Sequence, residues 1–323
     1  MEETRFLHEG PLTVSIVDIG SNSVRMNIYA IDEMTGSFSV ISSSRAMLRL
    51  AAHVEDGKLD ADGEGKLFAL LREYLARSNS MPCDVFTAFA TASLRGISNS
   101  DEVIARLYDK LGVKISVISG ESEAQYDYIA TIEHFKDTLA PRGVVIDMGG
   151  GSTEFVAYEN GGVRSVYSLP IGSLGLWRCF CGARQNEPFP SASERDDIKK
   201  YVEAELEKAA PLKDFGGTAY LIGGTARALS NIDAALTKRT DETDGYILDK
   251  ARFHAVAKAV VKDGDGGAKM MRKICPSRLT SIVPGVLAYE KITEYLGIDN
   301  AVISLAGVRE GYITEYIRDL SRK

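Results

Sequence analysis

Val14-Ser15-Ile16-Val17-Asp18-Ile19-Gly20-Ser21-Asn22-Ser23 and Gly143-Val144-Val145-Ile146-Asp147-Met148-Gly149-Gly150-Gly151-Ser152 align without a gap at an offset of 129 positions. Each copy is an apolar run that reads as a β-strand, with an aspartate near its end, a glycine-bearing turn and a second strand-like run. One Asp-x-Gly arises easily by chance. Two, each after an apolar run and before a strand, mark an internal repeat. In a chain of 323 residues this spacing predicts two related domains facing each other across a cleft, each lending one loop.

The flanking pattern fits. Strands are expected at 13–31 (two, joined at Gly20-Ser21-Asn22), at 37–42 with 45–50 as an extension, and at 84–91, 113–118, 143–147, 153–158 and 163–169. Residues 52–65 read as turn and loop. The spacing of apolar residues predicts a helix over 66–77, and further helices are expected at 100–111 and 121–135. Ser191-x-x-Glu194 is a capping box opening a helix over 194–209. A strand at 218–222, a short helix after Gly223-Gly224, helices near 249–262 and 278–296, a strand at 300–304 and a helix at 308–320 complete the chain. This alternation predicts an α/β fold with a largely parallel core. The break Pro141-Arg142-Gly143 divides it into 1–140 and 141–323, with the last helix expected to return to the first domain.

With 45% hydrophobic and 26% charged residues, the composition is that of a soluble globular protein and excludes collagen-like, coiled-coil and disordered classes. No window has the run of ~18 uncharged apolar residues that a membrane helix needs. MEETRFLHEG is acidic and lacks the apolar stretch of a secretory signal, and four cysteines are too few for a disulfide scaffold, so the cytoplasm is the expected compartment. The net charge of −7 argues against nucleic acid or an anionic membrane as partner. An anionic substrate would have to be met locally.

Asp147-Met148-Gly149-Gly150-Gly151-Ser152-Thr153-Glu154 is the strongest local signal. Three glycines remove every Cβ, so the backbone can fold around an anion and present its N–H groups, while Ser152 and Thr153 add hydroxyls. Asp147 and Glu154 are oxygen ligands suited to Mg²⁺. A tight hairpin is the plain alternative, yet it needs one or two glycines rather than three. Neither the Walker nor the Rossmann glycine pattern is present. In the partner copy, Arg25 offers a fork for phosphate oxygens. Gly223-Gly224-Thr225 sets a helix N-terminus at the end of a strand, as anion sites and ordinary strand–helix packing both do. Ala90-Thr91-Ala92-Ser93-Leu94-Arg95 reads by itself as a surface loop. Glu121 and Glu123 open a helix, where first-turn acids normally complement the dipole; two residues apart, at most one can face a cleft. The basic run Lys269–Arg278 reads as a solvated face, with a rim for a polyanion as the alternative. Cys179-x-Cys181 lacks zinc spacing.

The blocks VDIGSNSVR, ATASLRG, ISGESEAQ, VIDMGGGSTEF, SLPIGSLGL, LIGGTARAL and ISLAGVREGYI, in this order over residues 14–312, resemble the exopolyphosphatase / guanosine pentaphosphate phosphohydrolase (Ppx/GppA) family in its short, two-domain form. The resemblance implies two ribonuclease-H-like domains of the actin-like ATPase superfamily around a central cleft. It implies Glu123 as the catalytic glutamate and Asp147 and Glu154 as metal ligands. Phosphate contacts are implied at Asp18, Ser21, Asn22, Arg95, Gly149, Gly150, Gly151, Ser152, Gly223, Gly224 and Thr225. The chain departs from the family in having Gln125 two places after that glutamate, and in lacking an Arg downstream of Pro170-Ile171-Gly172. The implied reaction is Mg²⁺-dependent (or Mn²⁺-dependent) hydrolysis of the terminal phosphoanhydride of inorganic polyphosphate, by a chain compatible with a homodimer. Guanosine pentaphosphate (pppGpp) is the alternative substrate. A sugar or acetate-type kinase and a non-catalytic alarmone-binding module are more distant readings.

Overall fold

The computed structural model describes residues 10–81, 83–182, 189–261 and 265–322, so most of the N-terminal stretch read for a targeting signal lies outside the described residues. The chain separates into two compact units: residues up to Ile118 together with those from Ile313 onward, and Ser119–Tyr312.

In the first unit, β1 (Leu12–Ile19), β2 (Val24–Ile31) and β3 (Phe38–Ala46) form an antiparallel meander. The two-residue strands β4 (Val54–Glu55) and β5 (Lys58–Leu59) precede α1 (Ala61–Ser80). Then come β6 (Val85–Ala90), the single turn α2 (Ala92–Arg95), α3 (Ser100–Leu111) and β7 (Ile115–Val117). Among the described residues the sheet has the order β3-β2-β1-β6-β7, with β6 parallel to β1 and β7 parallel to β6. Helix α1 starts earlier than its apolar spacing predicts because Asp60 caps it, accepting the Gly63 N–H at 2.6 Å. Leu67, Leu71 and Tyr74 of α1 and Val103 and Leu107 of α3 bury one face of the sheet, represented by Val17, Ile19, Met26 and Ala88. Ile317 also belongs to this unit, and its Cγ2 lies beside Gly36.

The second unit begins with α4 (Gly120–His134), then β8 (Arg142–Met148), β9 (Thr153–Glu159) and β10 (Gly162–Leu169), again an antiparallel meander. Helices α5 (Ser173–Cys181) and α6 (Ala192–Leu206) lead to β11 (Thr218–Ile222) and α7 (Gly223–Thr237). Next are β12 (Ile247–Asp249), α8 (Lys250–Val260), α9 (Asp265–Ile274), α10 (Ile282–Leu296) and β13 (Asn300–Ile303); α11 (Val308–Ser321) starts in this unit and from Ile313 onward belongs to the first. The described sheet order is β10-β9-β8-β11-β13-β12, with β11 parallel to β8 and β13 parallel to β11. Five strands therefore repeat the order and directions of the first unit. This is the ribonuclease-H-like plan of the actin-like ATPase superfamily, present twice. The capping box at Ser191 and Glu194 forms as its spacing requires.

Residues 119–140, which the sequence joins to the first domain, group with the second unit. The reason is apolar burial: Ala124, Tyr128 and Phe135 of α4 share a core with Val145, Val156, Tyr158 and Tyr220 of the second sheet. Val144, Ile146, Met148, Phe155 and Ala157 face a larger core on the opposite side, with Ile198 and Val202 of α6 and Val283 and Val286 of α10. Side chains alternate along a strand, so Asp147, Glu154 and Ser168 share the α4 side of the sheet with Val145, Val156 and Val166. Among the described residues, no helix is long and apolar enough to cross a membrane.

Candidate active site

The glycine turn of the second unit is held open from behind. Gly149 N–H donates to Ser152 O at 3.0 Å, closing the β8–β9 hairpin. The Gly149 carbonyl accepts from Ser173 N–H at 3.1 Å and from Ser173 Oγ at 3.2 Å. The Gly150 carbonyl accepts from Leu174 and Gly175 N–H at 3.0 and 2.8 Å. These donors are the first turn of α5, whose amides have no partner within their own helix. In a trans peptide the C=O of one residue and the N–H of the next point opposite ways. The amides of Gly150 and Gly151 are therefore directed away from α5, as an anion cradle requires. Helix and turn approach so closely that a Cβ at Gly172 would fall 2.3–2.5 Å from the backbone of Gly150 and Gly151.

Asp147 and Glu154 are partners across the β8–β9 pair, which places their side chains roughly 5 Å apart at Cβ on one face. Glu154 is buried, and its Oε1 accepts from Ser168 Oγ at 2.7 Å across the next strand pair. Ile222, the last residue of β11, stands opposite Asp147, so α7 begins beside it. Gly223 makes that junction at φ +95°, where a Cβ would come within 2.7 Å of Asp147 Oδ1. The Tyr289 hydroxyl donates to Ile222 O at 3.2 Å beneath the junction. Burial first, and then the charge of Asp147, hold this phenol well above its usual range; Arg278 and Arg227 pull the other way. Thr225 is fully buried and its Oγ1 has no hydrogen-bond partner among the described residues, so toward a ligand it offers its backbone rather than its hydroxyl.

Glu123 sits in the first turn of α4, which Ser119 caps by accepting the Ser122 N–H at 3.1 Å. Helix α4 ends where the chain turns into the start of β8, so its N-terminus lies toward the β8 end that carries Asp147. Glu123 is 7% exposed, whereas Glu121 and Gln125 are on the exposed side. In this unit Glu123, Asp147 and Glu154 belong to the α4 side of the sheet, and the Gly149–Ser152 and Gly223–Thr225 turns follow the strand ends beside Asp147. A facing pair of carboxylates, one buried and backed by a hydroxyl, fits a magnesium ion that keeps several waters and takes further oxygens from phosphate. Among the described residues, no three His, Cys, Asp or Glu side chains form a closed metal cage.

The first unit builds its hairpin by the same geometry. Gly20 N–H donates to Ser23 O at 3.2 Å, and Asp18 stands opposite Arg25 as Asp147 stands opposite Glu154. The carbonyls of Ser21 and Asn22 accept from Ala51 and Arg49 N–H at 3.0 and 2.9 Å, turning the amides of Asn22 and Ser23 the other way. Ser93 Oγ and Thr91 N–H bond the Ile19 carbonyl, which fixes α2 to this turn. Arg95 Nη1 donates to Ile118 O at 3.1 Å.

A search against protein families matches residues 28–319 to the Ppx/GppA phosphatase family. The chain belongs to that family. As a Ppx/GppA member it is a hydrolase of phosphoric anhydrides. Exopolyphosphatase 1 of Mycobacterium tuberculosis is 27% identical over 317 residues, covering 94% of this chain and 87% of the relative. The Ppx/GppA family member of Aquifex aeolicus is 26% identical, with a TM-score of 0.77 over 97% of this chain and 99% of that one. An exopolyphosphatase from Cytophaga hutchinsonii, 17% identical, shares the fold with a TM-score of 0.83 over 95% and 98% of the two chains.

Three residues around these turns and carboxylates lie in stretches the sequence marks, without a signal of their own. Ser173 and its helix sit in SLPIGSLGL, where no periodicity or acid marks them, and Ser168 belongs to the same block. Arg278 is hidden at the end of a basic run. Its guanidinium lies against Gly224 so closely that a Cβ there would meet Nη2. The rest of that run, Lys269, Arg272 and Lys273, is exposed as a solvated face should be.

Proposed function

We propose that the chain is an exopolyphosphatase that removes the terminal phosphate of inorganic polyphosphate, with Asp147 and Glu154 holding a magnesium or manganese ion. The observation that carries this reading is the pair of doubly bonded carbonyls at Gly149 and Gly150, which aim two glycine amides away from α5 beside two facing carboxylates. The printed name of the mycobacterial relatives supports polyphosphate as the substrate. In this scheme the amides of Gly150 and Gly151 hold oxygens of the terminal phosphoryl group. Arg278 and the first turn of α7 offset the charge of the adjoining phosphate, and Arg25 and the Asn22 and Ser23 amides give the first unit an anion cradle of its own. A bound divalent cation supplies neutralising charge to the phosphoryl oxygens. Glu123 takes a proton from the attacking water as its oxygen bonds phosphorus; the anhydride P–O bond breaks, and the shortened chain leaves with those electrons. Glu123, buried in the first turn of α4, is the acid given this base role.

The test is phosphate release from long-chain polyphosphate, tripolyphosphate, pppGpp and ATP, each with Mg²⁺ and with EDTA. Metal-dependent release from polyphosphate in preference to the others is expected. A preference for pppGpp would make the enzyme a guanosine pentaphosphate phosphohydrolase. Transfer from ATP to a sugar or acetate acceptor would make it a kinase, and binding without turnover an alarmone module.

A further inference from the structure

Beyond the residues that meet the cleaved bond, α9 carries a feature the reaction has not used. Lys269, Arg272 and Lys273 stand at i, i+3 and i+4, on one face of the helix, and all three are exposed. The opposite face is fixed: Met271 is fully buried, and Met270 and Ile274 pack on the same core. Among the described side chains no carboxylate pairs with any of the three, although the chain's net charge is −7. From Lys273 the chain reaches Arg278 in five residues, a span of at most about 18 Å. Arg278 in turn lies against Gly224 at the start of α7. The three exposed cations of α9 and the arginine that lies against the start of α7 thus belong to one short stretch of chain.

We propose that Lys269, Arg272 and Lys273 form a distal subsite that grips phosphates of the chain beyond the one being removed, so that α9 sets the preference for long substrates. This rests on the polyphosphate reading above. The bland account is that Arg272 and Lys273, in the last turn of α9, only complement the helix dipole. It leaves out Lys269, and it predicts an effect on stability alone.

The test is the triple variant Lys269→Gln/Arg272→Gln/Lys273→Gln, which keeps good helix formers at exposed positions. The KM for long-chain polyphosphate should rise about 3- to 100-fold, the compound loss of three exposed ion pairs. The kcat, and the KM for tripolyphosphate, should stay at wild-type values. The salt dependence of long-chain binding should flatten, its log–log slope falling by about 2–3. The charge-preserving variant Lys269→Arg/Arg272→Lys/Lys273→Arg should behave as wild type. Unchanged long-chain KM, or equal losses on long and short substrates, would overturn the proposal. Equilibrium binding of long-chain polyphosphate, measured in parallel, separates the two claims. Tight binding that survives the triple substitution refutes the subsite, whereas wild-type protein that binds polyphosphate without hydrolysing it refutes the exopolyphosphatase reading.

Discussion

Gly172→Ala isolates the seating of the glycine turn on α5. At φ −72° and ψ 145° the backbone of residue 172 is open to alanine, so no dihedral strain enters. The added methyl would lie 2.3 Å from Gly151 C, 2.4 Å from Gly151 N and 2.5 Å from Gly150 C. Ordinary carbon contacts begin near 3.5 Å, so turn and helix must part by about 1 Å. The obstacle is main chain on both sides, with no flexible side chain to give way. Overpacking of this kind costs about 1–3 kcal/mol. At roughly 2–4 °C per kcal/mol for a unit this size, Tm should fall by about 2–12 °C. Activity should suffer more, because a ~1 Å misplacement of positioning groups lowers kcat/KM by roughly 100-fold. Thermal melts and initial rates of phosphate release on polyphosphate measure both. Gly65→Ala is the control: that exposed glycine in α1 has nothing within 4 Å of a new Cβ, and the change should stabilise by up to about 1 kcal/mol. A Gly172→Ala enzyme with wild-type Tm and wild-type kcat/KM would show that α5 does not hold the turn.

Glu123→Gln should lower kcat by about 10²- to 10⁴-fold with substrate binding retained, while Glu121→Gln, on the exposed side of the same turn, should leave kcat unchanged. Equal rates for all three proteins would remove Glu123 from the chemistry. Ser168→Ala deletes the 2.7 Å hydrogen bond to Glu154 and should raise the Mg²⁺ concentration for half-maximal activity by about 10- to 100-fold, read from a metal titration at fixed substrate. In the first unit, hydrogen bonds from Arg106 at 2.9 and 2.7 Å hold the Glu64 carboxyl below its ordinary range. That stabilisation is present above the unfolded pKa of about 4.3 and is lost as pH falls through the lower folded value. Arg106→Leu should therefore lower stability in urea by about 0.2–1 kcal/mol at neutral pH, and the gap to wild type should close below about pH 4.

The repeat, the two hairpins and most strands were legible because strand burial writes itself into local sequence: Val144 to Asp147 alternates between two cores, and the turn that follows needs glycine. Helix α1 is longer than its apolar spacing predicts because Gly63 and Gly65 in its first turns weaken the helical pattern, although Asp60 caps it. Helix α5 leaves no local signal in the sequence. Its Gly172 and Gly175 answer to a loop more than twenty residues earlier, a tertiary demand that no local period records. The units divide earlier than Pro141 for a related reason. Helix α4 follows a strand of the first unit, but its apolar face matches the second sheet, and matching of faces is invisible until both are built. Of the residues implied as phosphate contacts, Thr225 buries its hydroxyl, while Arg278 belongs to a run that reads as a solvated face or as a rim for a polyanion.

The bonds from α5 to the glycine carbonyls also bear on how strongly the turn can grip. A carbonyl that accepts hydrogen bonds draws electron density along its peptide, leaving the N–H at the other end of that plane a better donor. The carbonyls of Gly149 and Gly150 each accept two donors from the positive end of a helix. The amides of Gly150 and Gly151 thus inherit the field of α5 at one remove, like the far plates of two small capacitors charged from behind. In the proposed scheme the helix never has to approach the anion, and the surface facing it stays free of side chains. A net-negative protein gains a concentrated positive spot made from backbone alone, one that no change of pH can titrate away.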